Sequence, residues 1–198
     1  MAAAGDELPD LVVGIPRGGV IVAAPVARAI GAELDVAVAR KLGAPMQREL
    51  AIGAVATDGP PVINRGLIAR LGVTDAEVAA ELSRQRAEAG RREGLYRSGR
   101  APLEIADRRV VVVDDGVATG ATLVAVVRMA KTAGAAHVTA AVPVGPERTL
   151  AALRDDADDV VCPLTPKTFQ AVGEWYDDFA QVEDDGVLEA LDSFRRGA

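Results

Sequence analysis

Two adjacent carboxylates, Asp114 and Asp115, follow four consecutive valines (Val110 to Val113) and precede the run Gly116-Val117-Ala118-Thr119-Gly120-Ala121-Thr122. Only a strand buried on both faces displays such a valine run, and ligands on open parallel sheets bind at the carboxyl ends of strands. The small residues let backbone N–H groups converge on an anion. The start of the next helix favours negative charge, and the hydroxyls of Thr119 and Thr122 can add hydrogen bonds. Acids beside an anion site need a task of their own, and sugar hydroxyls or a magnesium ion are suitable partners. Other patterns are excluded or fit less well. The GxxxxGK[ST] phosphate loop is absent. In a response-regulator receiver the acid pair opens the domain, whereas here it stands past mid-chain. A plain surface turn explains the glycines but not paired acids followed by paired threonines.

The elements that position these residues alternate. Leu11 to Ile15 reads as a strand ended by Pro16-Arg17-Gly18-Gly19, Val20 to Ile30 as a helix closed by Gly31, and Leu34 to Arg40 as a second strand. Pro25 must either kink that helix or sit in its first turn. Strand, helix and strand within about thirty residues make a βαβ unit with parallel strands. Leu50 to Thr57 and Val62-Ile63 flank the turn signal Asp58-Gly59-Pro60-Pro61, as in a β-arm. Thr74 to Glu77 fits a capping box opening a helix to about Tyr96, whose polar sequence reads as a solvated surface helix. After Gly120 come a helix to about Ala133, a strand from His137 to Val142, a helix from Pro146 to Arg154 and a strand from Val160 to Leu164. The tail from Glu183 reads as acidic and ordinary. The whole is an α/β protein with a mostly parallel sheet.

Composition narrows the function classes. The chain has 198 residues, 22 Lys plus Arg against 29 Asp plus Glu, and a net charge of −7. An acidic chain without a basic block is a poor generic binder of nucleic acid or anionic membrane, so any phosphate must be held by a local site. One cysteine (Cys162) and one histidine (His137) provide neither an internal disulfide nor a protein-only zinc site. Cys162 reads as a small core hydrophobe and His137 as a surface strand start. Met1 to Asp10 has neither a basic nor an apolar leader region, and no apolar run approaches bilayer length, so the expectation is a soluble cytoplasmic protein. Four of the six aromatic side chains, Phe169, Trp175, Tyr176 and Phe179, fall in one stretch. A nucleobase needs such a flat apolar face. Phe169 and Tyr176 are the stacking candidates, and Trp175 and Phe179 read as packing.

The segment from Val110 to Thr122 resembles the phosphoribosyl pyrophosphate (PRPP) signature of type I phosphoribosyltransferases: an apolar strand, an acid pair and a Thr-Gly-x-Thr loop. Pro16-Arg17-Gly18-Gly19 is similar to the family's pyrophosphate loop, and Arg40-Lys41 resembles the basic pair of orotate-type members. Phe169 to Phe179 looks like the base-binding hood of purine-specific members. The resemblance implies one domain over residues 1–198, with a Rossmann-like core about 8–165, a hood about 166–182 and a β-arm. It further implies that residues Gly116 to Thr122 hold the 5-phosphate of PRPP, and that Asp114 and Asp115 hold ribose hydroxyls and Mg²⁺. Arg17, Gly18, Gly19, Arg40 and Lys41 would meet pyrophosphate, while Phe169 and Tyr176 stack on a nitrogenous base. Hypoxanthine–guanine members carry an acid where this chain has Ala118, which points away from 6-oxopurine acceptors. The implied function is Mg²⁺-dependent transfer from PRPP to a base, and the arm (43–64) or the segment around 84–104 would close over the site. The alternative is a non-catalytic PRPP- or nucleotide-binding regulator on the same fold. The apolar balance and the arm are compatible with a homodimer.

Overall fold

A computed structural model describes residues 8–97 and 103–196. Most of the leader reading (Met1 to Asp10) and residues 98–102 of the expected closing segment lie outside the described residues. Five parallel strands form the main sheet in the order β2-β1-β6-β7-β8. They are β1 (Leu11–Gly14), β2 (Glu33–Val36), β6 (Arg109–Val113), β7 (His137–Ala141) and β8 (Asp159–Val161). The valine run is buried on both faces as expected. Val110 and Val112 join the cluster beneath α4 (Ala121–Thr132) and α5 (Glu147–Leu153), and Val111 and Val113 join the cluster beneath α1 (Gly18–Ile30). All four are at most 6% exposed, and each such burial contributes about 1.5–3 kcal/mol.

Helix α1 buries Val20, Ala23, Ala24 and Ala27, one face at helical spacing, and ends at Gly31 in the left-handed conformation (φ 70°). Pro25 lies inside the helix on its exposed side, where the missing N–H faces water. The run expected as one strand from Leu34 divides in two. After β2 the chain leaves the main sheet, and β3 (Ala39–Ala44) pairs antiparallel with β4 (Gln47–Ala56), which pairs with β5 (Val62–Ile63). The expected arm is therefore a three-stranded sheet. It has its own small core of Leu42, Ala44, Ile52 and Val55, and it rests on both α3 (Asp75–Tyr96) and α4. Helix α2 (Arg65–Leu71), capped by the Asn64 side chain, had no counterpart in the sequence reading.

Two expectations need correction. Helix α3 opens with the expected capping box at Thr74 and Glu77, but it is not simply a solvated surface helix. Val78 and Leu82 pack on the arm, and Gln85, Ala89 and Tyr96 are buried. The tail from Glu183 is not ordinary either. It forms α6 (Asp184–Arg196), which docks on α1 through a stripe containing Val187 and Leu191. Its 3.6-residue periodicity was hidden by a composition in which nearly half the residues are charged. Among the described residues, no helix is long and apolar enough to cross a membrane.

Candidate functional site

Asp114 and Asp115 leave the carboxyl end of β6 at the centre of the main sheet. The Asp115 N–H donates to Asp114 Oδ1 (2.9 Å), which holds the Asp114 carboxyl against the following peptide. Residues 116–120 then cross to α4 as a tethered loop. Val117 N–H donates to the Val144 carbonyl (2.9 Å) beyond β7, and Thr149 Oγ1 of α5 donates to the Ala118 carbonyl (2.7 Å). Gly120 adopts φ 81°, a conformation that costs an L side chain about 1–2 kcal/mol. The loop, Lys41 and Val172 enclose a pocket of about 210 Å³ at the start of α4. Backbone donors and the helix dipole make this pocket suited to an anion.

The loop before α1 is drawn against the same strand end. Ile15 N–H donates to the Val113 carbonyl (2.9 Å). A Cβ on Gly19 would lie 2.8 Å from that carbonyl and 2.9 Å from Asp114 Cα, so only glycine allows the approach. A second cleft of about 580 Å³ opens between this loop, the arm and α3. Arg17, Arg40, Lys41, Arg48 and Arg84 line it, opposed by Glu49, Glu81 and the acid pair. A chain of net charge −7 thus gathers cations at one place. Arg17 stands at the mouth, with Nη1 3.4 Å from Glu183 and 3.9 Å from Asp184.

A third cleft, about 550 Å³, lies on the other side of Arg17 and Gly18. Its walls include Ile21 and Val22 of α1, Tyr176, Phe179 and Val182, with Asp115 at its inner edge. Tyr176 Oη donates to the Asp115 carbonyl (2.5 Å), and its ring meets that of Phe179 at 5.2 Å. Phe169 is not brought to these clefts. It lines a separate one with Pro146, Glu147, Arg148 and the 165–167 segment. Trp175 and Phe179, expected as packing, remain 36% and 48% exposed, although Phe179 does cover Gly173.

Burial raises the Asp114 carboxyl above the ordinary aspartate range, the Asp115 charge adds to this, and Lys41 opposes it. Burial likewise raises Asp115. Tyr176 is raised by burial and then by the two acids. Burial lowers the Arg40 guanidinium, reinforced by the charge of Arg92. The sequence reading missed Arg48, Arg84, Gln85, Thr149 and Val172. Glu81, Arg84 and Gln85 carry a signal, since their i, i+3, i+4 spacing sets them on one face of α3. The arm that gives this face its meaning is remote in sequence. Together the three clefts can hold one phosphate at the loop, a second anionic group among cations, and a flat apolar group against Tyr176.

The family model of the phosphoribosyl transferase domain matches residues 3–178. Provisionally named phosphoribosyl transferases from two strains of Mycobacterium tuberculosis are 44% identical over 186 residues, covering 94% of this chain and 42% of theirs. The chain thus spans less than half the length of these curated relatives. A Thermus thermophilus protein of known crystal structure is 40% identical with a TM-score of 0.79, covering 98% of this chain and 91% of that one.

Proposed function

Since the chain belongs to the phosphoribosyl transferase domain family, we propose that it transfers the 5-phosphoribosyl group of PRPP to a nitrogenous base and releases pyrophosphate. One observation carries this reading: Asp115 lies on a wall common to all three clefts. A phosphate in the loop pocket, a pyrophosphate among the cations and a base beside Tyr176 would therefore converge on a sugar next to the acid pair. In this reading the sheet, arm and hood act as one domain.

The reaction needs positioning more than covalent chemistry. A nitrogen lone pair of the base forms the bond to the anomeric carbon. The carbon–oxygen bond to pyrophosphate breaks, its electron pair leaves with pyrophosphate, and the base releases its N–H proton. Gly116 to Thr122 bind the 5-phosphate, and Thr119 and Thr122 supply hydroxyls. Arg17, Gly18, Gly19, Arg40 and Lys41 receive the departing charge. Asp114 and Asp115 orient the ribose hydroxyls. The same pair suits Mg²⁺, which takes one or two carboxylates and completes its shell with substrate oxygens and water. Among the described residues no cluster of three or more His, Cys, Asp or Glu forms a protein-only cage. When bound, the ion would neutralise charge developing on pyrophosphate.

Tyr176 is the stacking residue of this reading, and Ala118 favours acceptors other than 6-oxopurines. Mass spectrometry of reactions containing PRPP, Mg²⁺ and a panel of bases tests the assignment. A base–ribose 5-phosphate product from an adenine-like or pyrimidine-like acceptor is expected. Tight PRPP binding with no product from any base would instead identify a PRPP-binding regulator.

A further inference from the structure

We infer that Gln85 of α3 is a positioning residue for Arg40, holding the guanidinium so that its two terminal nitrogens face the leaving pyrophosphate. This rests on reading the cationic cleft as the pyrophosphate side. Gln85 is 7% exposed on a helix whose composition is otherwise that of a surface element. A buried amide must satisfy both its oxygen and its nitrogen, and this one does so across two elements. Arg40 Nε, from β3, donates to Gln85 Oε1 at 3.2 Å, and Gln85 Nε2 donates to Glu81 Oε1 at 2.8 Å.

Glu81 is fixed in turn. Its Oε1 accepts the Gly43 N–H of β3 at 3.2 Å, and its Oε2 accepts Arg84 Nε and Nη2 at 3.0 and 2.6 Å. The arrangement permits only one orientation of the amide. Reversed, its NH₂ would meet the Arg40 Nε–H and its oxygen would meet the Glu81 carboxylate. Arginine is long and flexible, so tying Nε to a buried acceptor restricts the side chain while leaving the Nη1/Nη2 edge open. Among the described residues no side chain accepts from those two nitrogens. That edge is the bidentate fork that matches a phosphate.

Calorimetric titration with Mg²⁺-pyrophosphate, and separately with ribose 5-phosphate, tests the role in four proteins: wild type, Arg40→Ala, a Gln85 variant and the double variant. Gln85→Met removes the hydrogen bonds at similar volume. Gln85→Asn keeps an amide but withdraws it by one methylene, which provides a second variant should the first fail to fold. Each Gln85 variant is expected to weaken pyrophosphate about tenfold, the scale of one lost charge-assisted hydrogen bond. Ribose 5-phosphate affinity should stay within about twofold, and the pyrophosphate loss should not add to that of Arg40→Ala. Unchanged pyrophosphate affinity in a folded Gln85 variant, or losses that add, overturns the positioning role. If Arg40→Ala itself leaves pyrophosphate affinity unchanged, the reading of the cleft fails and the inference falls with it.

Discussion

The acid pair sets up a conflict that a proton or a bound cation can relieve. Asp114 and Asp115 are adjacent carboxylates that burial pushes toward the neutral form, with the Asp115 N–H and the Lys41 charge opposing this at Asp114. Like charges held together without full compensation weaken the fold, whereas a bound cation or sugar turns the same pair into an asset. Asp114→Asn, which keeps an acceptor oxygen for the Asp115 N–H, should leave the unfolding midpoint unchanged or raise it. The same change should weaken Mg²⁺-dependent PRPP binding by about tenfold or more, as read by calorimetry alongside thermal unfolding. A sharp drop in midpoint with PRPP binding intact would make the pair structural. The two aromatic candidates separate in a similar way. Tyr176→Ala should raise the apparent acceptor constant by about fivefold to 150-fold, the scale of a lost base stack. Phe169→Ala, altering a ring in a different cleft, should leave it unchanged. Equal losses from both would place the acceptor elsewhere in the hood.

At the scale of elements, α3 and α6 meet at Asp184, which also stands 3.9 Å from Arg17. Tyr96 near the end of α3 is 2% exposed, and its hydroxyl donates to Asp184 at the start of α6 (2.5 Å). Burial first, then the Asp184 hydrogen bond and charge, push the Tyr96 phenol from its usual 10.0 up to about 12, with Arg92 and Arg17 opposing. A folded-state value above the unfolded one means stabilisation fully present below pH 10 and lost as pH rises toward 12. Tyr96→Phe should therefore cost about 1.5–3 kcal/mol in denaturant unfolding at pH 8. The gap from wild type should narrow steadily above pH 10, and a gap constant to pH 11.5 would contradict the linkage. These same elements show what sequence could and could not disclose. The parallel sheet, the Gly31 terminus, the capping box at Thr74 and the strand–acid–loop order of 110–122 were legible because each is a local pattern. The split after Val36, the docking of α6 and the cleft-facing side of α3 were not. Each depends on a partner remote in the chain: β4 for β3, α1 for α6, and the arm for Glu81, Arg84 and Gln85. Phe169 and Tyr176 looked equivalent because both are aromatic and near in sequence, yet the short helical turn Val172–Trp175 between them carries them to different clefts.

Across the whole molecule, charge is divided by place. A chain of net −7 gathers five cations in one cleft beside the acid pair, which suits a multiply charged small anion. Asp115 lines all three clefts, and in the proposed reading this brings a phosphate, a pyrophosphate and an acceptor to one sugar carbon. The most direct test is pyrophosphate release from PRPP, measured over a panel of bases with and without Mg²⁺, for wild type and a folded Asp114→Asn/Asp115→Asn variant. The expected result is release by wild type that requires both Mg²⁺ and a base and is lost in the variant. Release that persists undiminished in the folded variant, or no release with any base despite tight PRPP binding, would contradict the account.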